Sequence, residues 1–322
     1  IPVAISTPSI SANDLRDISS SQYQDLLNDP TRPLFNRAFM GLYPPASAIK
    51  PLLTIFALNN EYTNWTETIL DDGFFRFEEE ERVFNAWREG GHGLTDLEKA
   101  LVESSNPFFM NLSIRYEKDL FVEFLKSSSF GSKLCEDCYP HQFSPLINDD
   151  WKYKNFGKEL YKGDFINLGV GQGYMLTTPL HLALISAILA NRGEYELPYL
   201  VLKKQNKLSI KEDLSEEDWN KLHSALINVV YSKNGTGYRI NAGELNLAGK
   251  SGTAQVVDID SREEYDEVRA NPLLRDHAIF IGFAPYDNPR YSIAVIVENG
   301  ESGGRVAGPI AKKVLEELLN DF

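Results

Sequence analysis

Three short clusters in this 322-residue chain combine residue types that can carry out acyl chemistry. Ser47-Ala48-Ile49-Lys50 sets a hydroxyl and an amine three positions apart. On a helix that spacing puts both on one face, within reach of each other. A helix start also offers free N–H groups and a positive dipole end. A serine there can attack a carbonyl if a neighbour takes its proton, and a neutral lysine can take it. Burial beside a second cation favours the neutral amine, and Lys250 is a candidate for that cation. Ser104-Ser105-Asn106 supplies a hydroxyl and an amide where one predicted helix breaks into another. Such a turn can relay protons and hold an amide. Lys250-Ser251-Gly252-Thr253 sits inside the apolar, β-rich run 245–257. Core strands rarely carry Lys, Ser, Gly and Thr in a row. Gly252 has no Cβ, so another backbone or a ligand can come close. A strand edge built this way suits an extended ligand that ends in a carboxylate. Each cluster alone also has an ordinary reading: a capping serine with a surface lysine, a helix cap, and a strand end.

Other patterns carry less. The stretch 243–251 nearly fits a phosphate loop, but it has one residue too many between its glycines and continues as strand rather than opening a helix. Gly169-Val170-Gly171-Gln172-Gly173 lacks the third glycine of a dinucleotide fingerprint, because that position is Tyr174. Cys135-Glu136-Asp137-Cys138, followed by His141, is open to three readings: a strained disulfide, two free thiols or a weak metal site. His181 reads as a packed or surface histidine rather than a catalyst.

The elements that must position these clusters follow from periodicity and punctuation. Residues 1–7 read as a strand, and 21–27 as a short helix. Pro44-Pro45 leads into a helix over 46–59. Thr95, with Glu98 three positions on, forms a capping box for a helix to about 102. The 104–107 stretch breaks it, and Phe108 onward is helical again. Residues 128–165 read as loop-rich, and a short strand-like run precedes Gly169. Thr178-Pro179 opens a helix over 180–191, closed by Gly193, and Ser215 caps another over 216–230. Strands are expected over 245–257, 277–284 and 291–298, the last two joined by the turn residues 285–289. The segment 258–275 is charged and turn-rich, and Gly308-Pro309 opens a C-terminal helix. The fold class is therefore α/β (α+β): an antiparallel sheet whose first strand comes from the N-terminus, flanked by helices, with a helical subdomain over roughly 37–195 inserted.

Composition sets limits. Apolar residues make up 43% of the chain, so it is globular. A net charge of −14 argues against nucleic acid and anionic lipid as partners. An anionic ligand needs a local positive patch, for which Lys250 is the candidate. No apolar run is long enough to span a membrane, and the chain opens directly on Ile1-Pro2-Val3 without a leader, as an excised soluble piece would.

The three clusters in this order, S-x-x-K, S-x-N and K-[ST]-G-T, form the motif set of penicillin-binding proteins and class A β-lactamases. The chain resembles the class B, elongation-type penicillin-binding proteins (the penicillin-binding protein 2 group). The resemblance rests on Tyr43-Pro44-Pro45-Ala46-Ser47, Trp87 with Gly90-Gly91-His92-Gly93, Gly171-Gln172-Gly173-Tyr174, Thr178-Pro179-Leu180, the stretch 248–256 and the stretch 282–289. It runs from about Ser6 to the C-terminal helix, so 1–322 would be a transpeptidase domain without the family's membrane anchor and pedestal domain. The resemblance implies that Ser47 is the acylated nucleophile and Lys50 takes its proton. Ser104 would relay protons and Asn106 would hold the substrate amide. Lys250 would set the positive potential, and Ser251, Gly252 and Thr253 would line the site for the terminal carboxylate. The backbone N–H groups of Ser47 and Thr253 would form an oxyanion hole. The implied activity is D,D-transpeptidation of peptidoglycan stem peptides, blocked by β-lactams, in cell-wall elongation and rod-shape maintenance at the periplasmic face of the bacterial inner membrane. The implied partners are a membrane glycosyltransferase and scaffold proteins of the elongation complex, and no cofactor is implied. The alternatives are a serine β-lactamase and a non-enzymatic β-lactam sensor domain.

Two departures from the family pattern stand out. Ala46 replaces the usual glycine before the nucleophile, and its methyl bears on the approach to Ser47. Some relatives bind zinc near the second motif through two Asp, a His and a Cys. Asp71 and His92 match that set, but Ala86 and Ser105 fall at the other two positions. The resemblance therefore implies no metal here, and a polar contact between Asp71 and His92.

Overall fold

The computed structural model describes residues 1–77, 82–201, 206–257 and 268–321. Of the charged stretch 258–275, residues 258–267 lie outside the described residues. In chain order the helices are α1 (Ser20–Asn28), α2 (Arg37–Met40), α3 (Lys50–Asn59), α4 (Leu97–Val102), α5 (Asn106–Ser113), α6 (Lys118–Ser127), α7 (Asp149–Phe156), α8 (Lys162–Leu168), α9 (Pro179–Ala190), α10 (Glu216–Tyr231) and α11 (Gly308–Asp321). Short antiparallel pairs join β1 (Ile69–Asp71) to β4 (Gly93–Thr95), β2 (Phe74–Phe77) to β3 (Arg82–Asn85), and β5 (Glu194–Tyr195) to β6 (Leu208–Ser209). The main sheet is β7 (Ala248–Ala254), β8 (His277–Ala284) and β9 (Tyr291–Val297), antiparallel in that spatial order.

The apolar pattern explains where these elements sit. β8 is apolar at nearly every position because both its faces are covered. Side chains alternate across a strand, so Ile279, Ile281 and Phe283 join the main core while Ala278, Phe280 and Ala284 join a second core with Ala311 and Leu315 of α11. α3 is buried from Lys50 through Ala57, which marks it as a central helix. α10 is amphipathic: Trp219, Leu222, Leu226 and Val229 point inward at helical spacing, while its first turn, Glu216, Glu217 and Asp218, complements the positive dipole end. His181 packs inside, its Nε2 2.8 Å from the Ser128 carbonyl, and burial pushes it down to about 4, so it is a neutral core residue.

Several expectations need correction. Residues 1–7 form no strand, so the main sheet holds three strands among the described residues and none comes from the N-terminus. The Ile1 ammonium donates to the Tyr199 carbonyl, and Ser6 Oγ donates to Phe35 O and accepts from Arg37 N–H. These contacts with distant parts of the chain, and a Pro2 that cannot donate to a ladder, replace strand pairing. Asp96, not Thr95, caps α4 by accepting from Lys99 N–H, because Thr95 is already paired with Ile69 in β4. The run before Gly169 is helix α8 rather than strand. Asp164 reaches back to the Tyr161 N–H and fixes its first turn. The loop-rich reading of 128–165 misses α7, whose N-cap is Asn148 and whose C-terminus is closed by left-handed Gly157.

Candidate active site

The first cluster begins with a single tight turn. Ala46–Ile49 is a 3₁₀ turn that runs directly into α3. Side chains three apart eclipse in a 3₁₀ helix, so half-buried Ser47 and fully buried Lys50 share one side. The turn is locked from behind. Ala46 N–H donates to Gly171 O at 2.8 Å, and a Cβ on Gly171 would lie 2.2 Å from Ala46 O. Only glycine fits at 171, where φ is +70°. Ala46 itself sits at φ +48°, a left-handed conformation that strains an L-residue by about 1–2 kcal/mol. Ala46→Gly relieves that strain but adds unfolded-state entropy of about 0.5–1 kcal/mol. The expected net is a gain of about 0.5–1 kcal/mol in urea unfolding. A clear loss would mean that the methyl packs productively.

The second cluster folds over the amine. Lys50 Nζ lies 3.1 Å from Ser104 O, 3.1 Å from Ser105 O, 2.7 Å from Asn106 Oδ1 and 3.5 Å from Ser104 Oγ. Ser104 occupies the left-handed region at φ +63°, which lets its carbonyl and hydroxyl both face the lysine. Lys250 Nζ donates to the same Ser104 Oγ at 2.9 Å and to Ser251 O at 3.1 Å. One hydroxyl thus touches both buried amines. Burial pushes Lys50 well below the ordinary lysine range, the Lys250 charge adds to this, and Asp71 opposes it. Burial alone pushes Lys250 down to about 7. The three nearest oxygens around Lys50, those of the Ser104 and Ser105 carbonyls and Asn106 Oδ1, suit an ammonium. A neutral amine has two N–H donors, so losing a proton releases one contact and frees a lone pair.

The third cluster is the edge strand. β7 pairs only with β8 among the described residues, with Lys250 opposite Ile281 and Gly252 opposite Ile279. A Cβ on Gly252 would lie 3.1 Å from Pro45 O and 3.2 Å from Ala48 N, so the strand runs against the turn that carries Ser47. Thr253 is exposed, and its carbonyl accepts from Gln172 Nε2 at 3.3 Å. All eight residues singled out in the sequence therefore converge on one place.

The family model for the penicillin binding protein transpeptidase domain matches residues 6–316. The chain belongs to the penicillin-binding protein transpeptidase family. It is 36% identical to the Haemophilus influenzae peptidoglycan D,D-transpeptidase MrdA, over 98% of this chain and 50% of that protein. The chain spans about half the length of the curated relatives it matches. Its fold is similar to Pseudomonas aeruginosa PBP2 in a complex with WCK 5153, with a TM-score of 0.82 and 32% identity over 94% of this chain and 64% of that one. It is also similar to Helicobacter pylori PBP2 in its complex with MreC, with a TM-score of 0.80 and 29% identity over 94% and 54%. Its fold is the penicillin-binding transpeptidase fold.

Around this family core lie residues to which no role attached in the sequence. Trp87 Nε1 donates to Ser104 O at 3.3 Å, and Arg88 pairs with Glu103 at 2.9 Å, so a strap crosses the second cluster. Ser251 Oγ donates to Thr236 Oγ1 at 2.7 Å, and a lone Thr in a Gly-rich turn carries no sequence signal for this. Behind Ser104, buried Asp71 Oδ2 accepts from Ser105 Oγ at 2.5 Å and lies 2.7 Å from His92 Nδ1, which is the expected polar contact. Asp71 Oδ1 accepts from Gly73 N–H. The zinc of some relatives does not fit. Ala86 offers no ligand, both Asp71 oxygens are engaged, and His92 Nε2, buried without a described partner, is a single nitrogen donor. Cys135 and Cys138 form a disulfide, which resolves the three readings and leaves no thiolate for a metal. Asp137 between them accepts the N–H groups of Leu200 and Val201 instead.

Proposed function

We propose that this chain is the catalytic domain of a peptidoglycan D,D-transpeptidase that works through a serine acyl-enzyme. The observation that carries the reading is the Ser104 hydroxyl between two buried lysines, beside a serine one 3₁₀ turn from the first of them. Ser47 attacks the carbonyl of the penultimate D-alanine, and neutral Lys50 takes its proton. Electron density moves onto the carbonyl oxygen, which the N–H groups of Ser47 and Thr253 hold as an oxyanion. Collapse of that intermediate breaks the peptide bond, and D-alanine leaves with a proton returned through Ser104. An amine of a neighbouring stem peptide then attacks the ester, and Ser47 regains its proton. Asn106 holds the donor amide. Lys250 supplies the positive potential, and Ser251 and Thr253 bind the terminal carboxylate across Gly252. A β-lactam enters the same way, but its leaving nitrogen stays tethered, so the adduct retains the whole drug.

This places residues 1–322 in a single transpeptidase domain, with the 37–195 region as its helical subdomain. The proposed setting is cell-wall elongation at the periplasmic face of the inner membrane. No described helix is long and apolar enough to cross a membrane. The proposed partners are a membrane glycosyltransferase and an elongation scaffold, and the complex of the Helicobacter pylori relative with MreC supports the second of these.

The test is intact-mass spectrometry after incubation with benzylpenicillin, followed by proteolytic mapping. One adduct of the full drug mass, persistent and confined to the peptide bearing Ser47, is expected. Release of D-alanine from a peptide donor should accompany it. Rapid loss of the adduct with hydrolysed drug would make the protein a β-lactamase. A permanent adduct without any reaction on peptide donors would make it a sensor.

A further inference from the structure

The middle residue of S-x-N is unspecified by the motif, and here it is Ser105. We propose that Ser105 and Asp71 are positioning residues that hold the strained Ser104 turn in its reactive geometry, through hydrogen bonds made behind the site. The inference rests on the acyl-transfer reading above.

Ser104 is held at φ +63°, a conformation that persists only where neighbours over-determine it. On the side of the site its hydroxyl accepts from Lys250 Nζ and its carbonyl from Trp87 Nε1. A further anchor, behind the site, is next door. Ser105 is fully buried, and its hydroxyl works in both directions. It donates to Asp71 Oδ2 at 2.5 Å and accepts from Phe108 N–H at 3.3 Å, which caps α5. Asp71 is fixed in turn. It ends β1, its oxygens engage His92 Nδ1 and Gly73 N–H, and its own carbonyl accepts from His92 N–H at 3.0 Å. Burial pushes the Asp71 carboxyl up, but the hydrogen bonds from His92, Ser105 and Gly73 and the attraction of His92 together hold it below the usual carboxylate range, so Asp71 is an ionised acceptor. The resulting chain runs from the β1–β4 pair through Asp71 and Ser105 to the carbonyls of Ser104 and Ser105, against which Lys50 is seated. Ser105 and Asp71 touch neither Ser47 nor the strand that takes the ligand. The effect of Ser105 must pass through the position of Ser104 and Lys50, while Asp71 acts through Ser105 and also through its charge, which favours the Lys50 ammonium.

The test is single-turnover acylation by benzylpenicillin across drug concentrations, resolved into affinity of the first complex and the acylation rate constant. Ser105→Ala is expected to lower the rate constant about 10- to 100-fold, the scale of a misplacement of about 1 Å. The first-complex affinity should stay within about twofold, since the β7 contacts are untouched. Ser105→Thr, which keeps the hydroxyl, should restore the rate to within a few-fold. Asp71→Asn should resemble Ser105→Ala, and the double variant should be no slower than the worse single one, because both act in one network. Wild-type rates in Ser105→Ala, or equal loss in Ser105→Ala and Ser105→Thr, would overturn the proposal. Rates that multiply in the double variant would do so too. If Asp71→Asn does not fold, the Ser105 pair decides alone. Failure of the wild-type protein to acylate would count against the functional reading instead.

Discussion

Lys50→Met is expected to acylate at least about 10³-fold more slowly than the wild type, while Ser47 and the strand that binds the ligand stay in place. Methionine matches the volume of the side chain but cannot accept a proton. Lys50→Arg sharpens the point. A guanidinium carries a permanent positive charge and donors for Ser104 O, Ser105 O and Asn106 Oδ1, yet it does not lose a proton in a protein. If the charge alone matters, arginine should rescue. If a neutral amine must take the Ser47 proton, both variants should fail. The comparison is read from the rate of adduct formation by intact mass, with thermal melts to confirm folding. Near-normal acylation in Lys50→Arg would assign the proton to another group.

The second large effect is in pH. Burial holds Lys250 at about 7, so above that pH the free protein loses the cation proposed to attract the ligand carboxylate. The second-order acylation constant reports the unliganded protein. It should fall about tenfold per pH unit above 7, to about 100-fold by pH 9. Its acid limb reflects protonation of Lys50, which burial and Lys250 displace well below the ordinary lysine range. Lys250→Arg should flatten the alkaline limb, because arginine stays charged. Stability should move the other way. In the window from about 7 to the unfolded lysine value near 10.4, the unfolded chain binds more protons at this position than the folded one. The Lys250 contribution to unfolding free energy therefore rises with pH, by about 1.4 kcal/mol per unit. An acylation constant flat from pH 7 to 9 would show that Lys250 does not titrate there.

The residues of the candidate site were legible in the sequence, while several of the elements around them were not. Ser47-x-x-Lys50, Ser104-x-Asn106 and Lys250-Ser251-Gly252-Thr253 are residue types out of place in their elements, so they stand out, and the fold brings them within hydrogen-bond reach. Strands 277–284 and 291–297 and helices 179–190 and 216–231 follow from long apolar patterns with clear caps. The failures have physical causes. The apolar N-terminal run looks like a strand, but pairing is a tertiary choice that no local pattern records. α7 carries mostly polar residues and buries only Lys152, so no apolar stripe announces it. The Asp71–Ser105 contact joins residues 34 apart through a bond that no periodicity encodes. Thr236 met the same limit.

β7 has one further consequence. Its outer edge has no strand partner among the described residues, and an unpaired edge is where a second copy of a chain can add itself and begin to aggregate. Here the edge is only seven residues long, the Gln172 amide occupies the Thr253 carbonyl, and the turn bearing Ser47 stands against Gly252. The reactive turn thus doubles as a guard on solubility. Changes that loosen the interlock of Ala46 with Gly171 should shorten the shelf life of the protein as well as slow its chemistry.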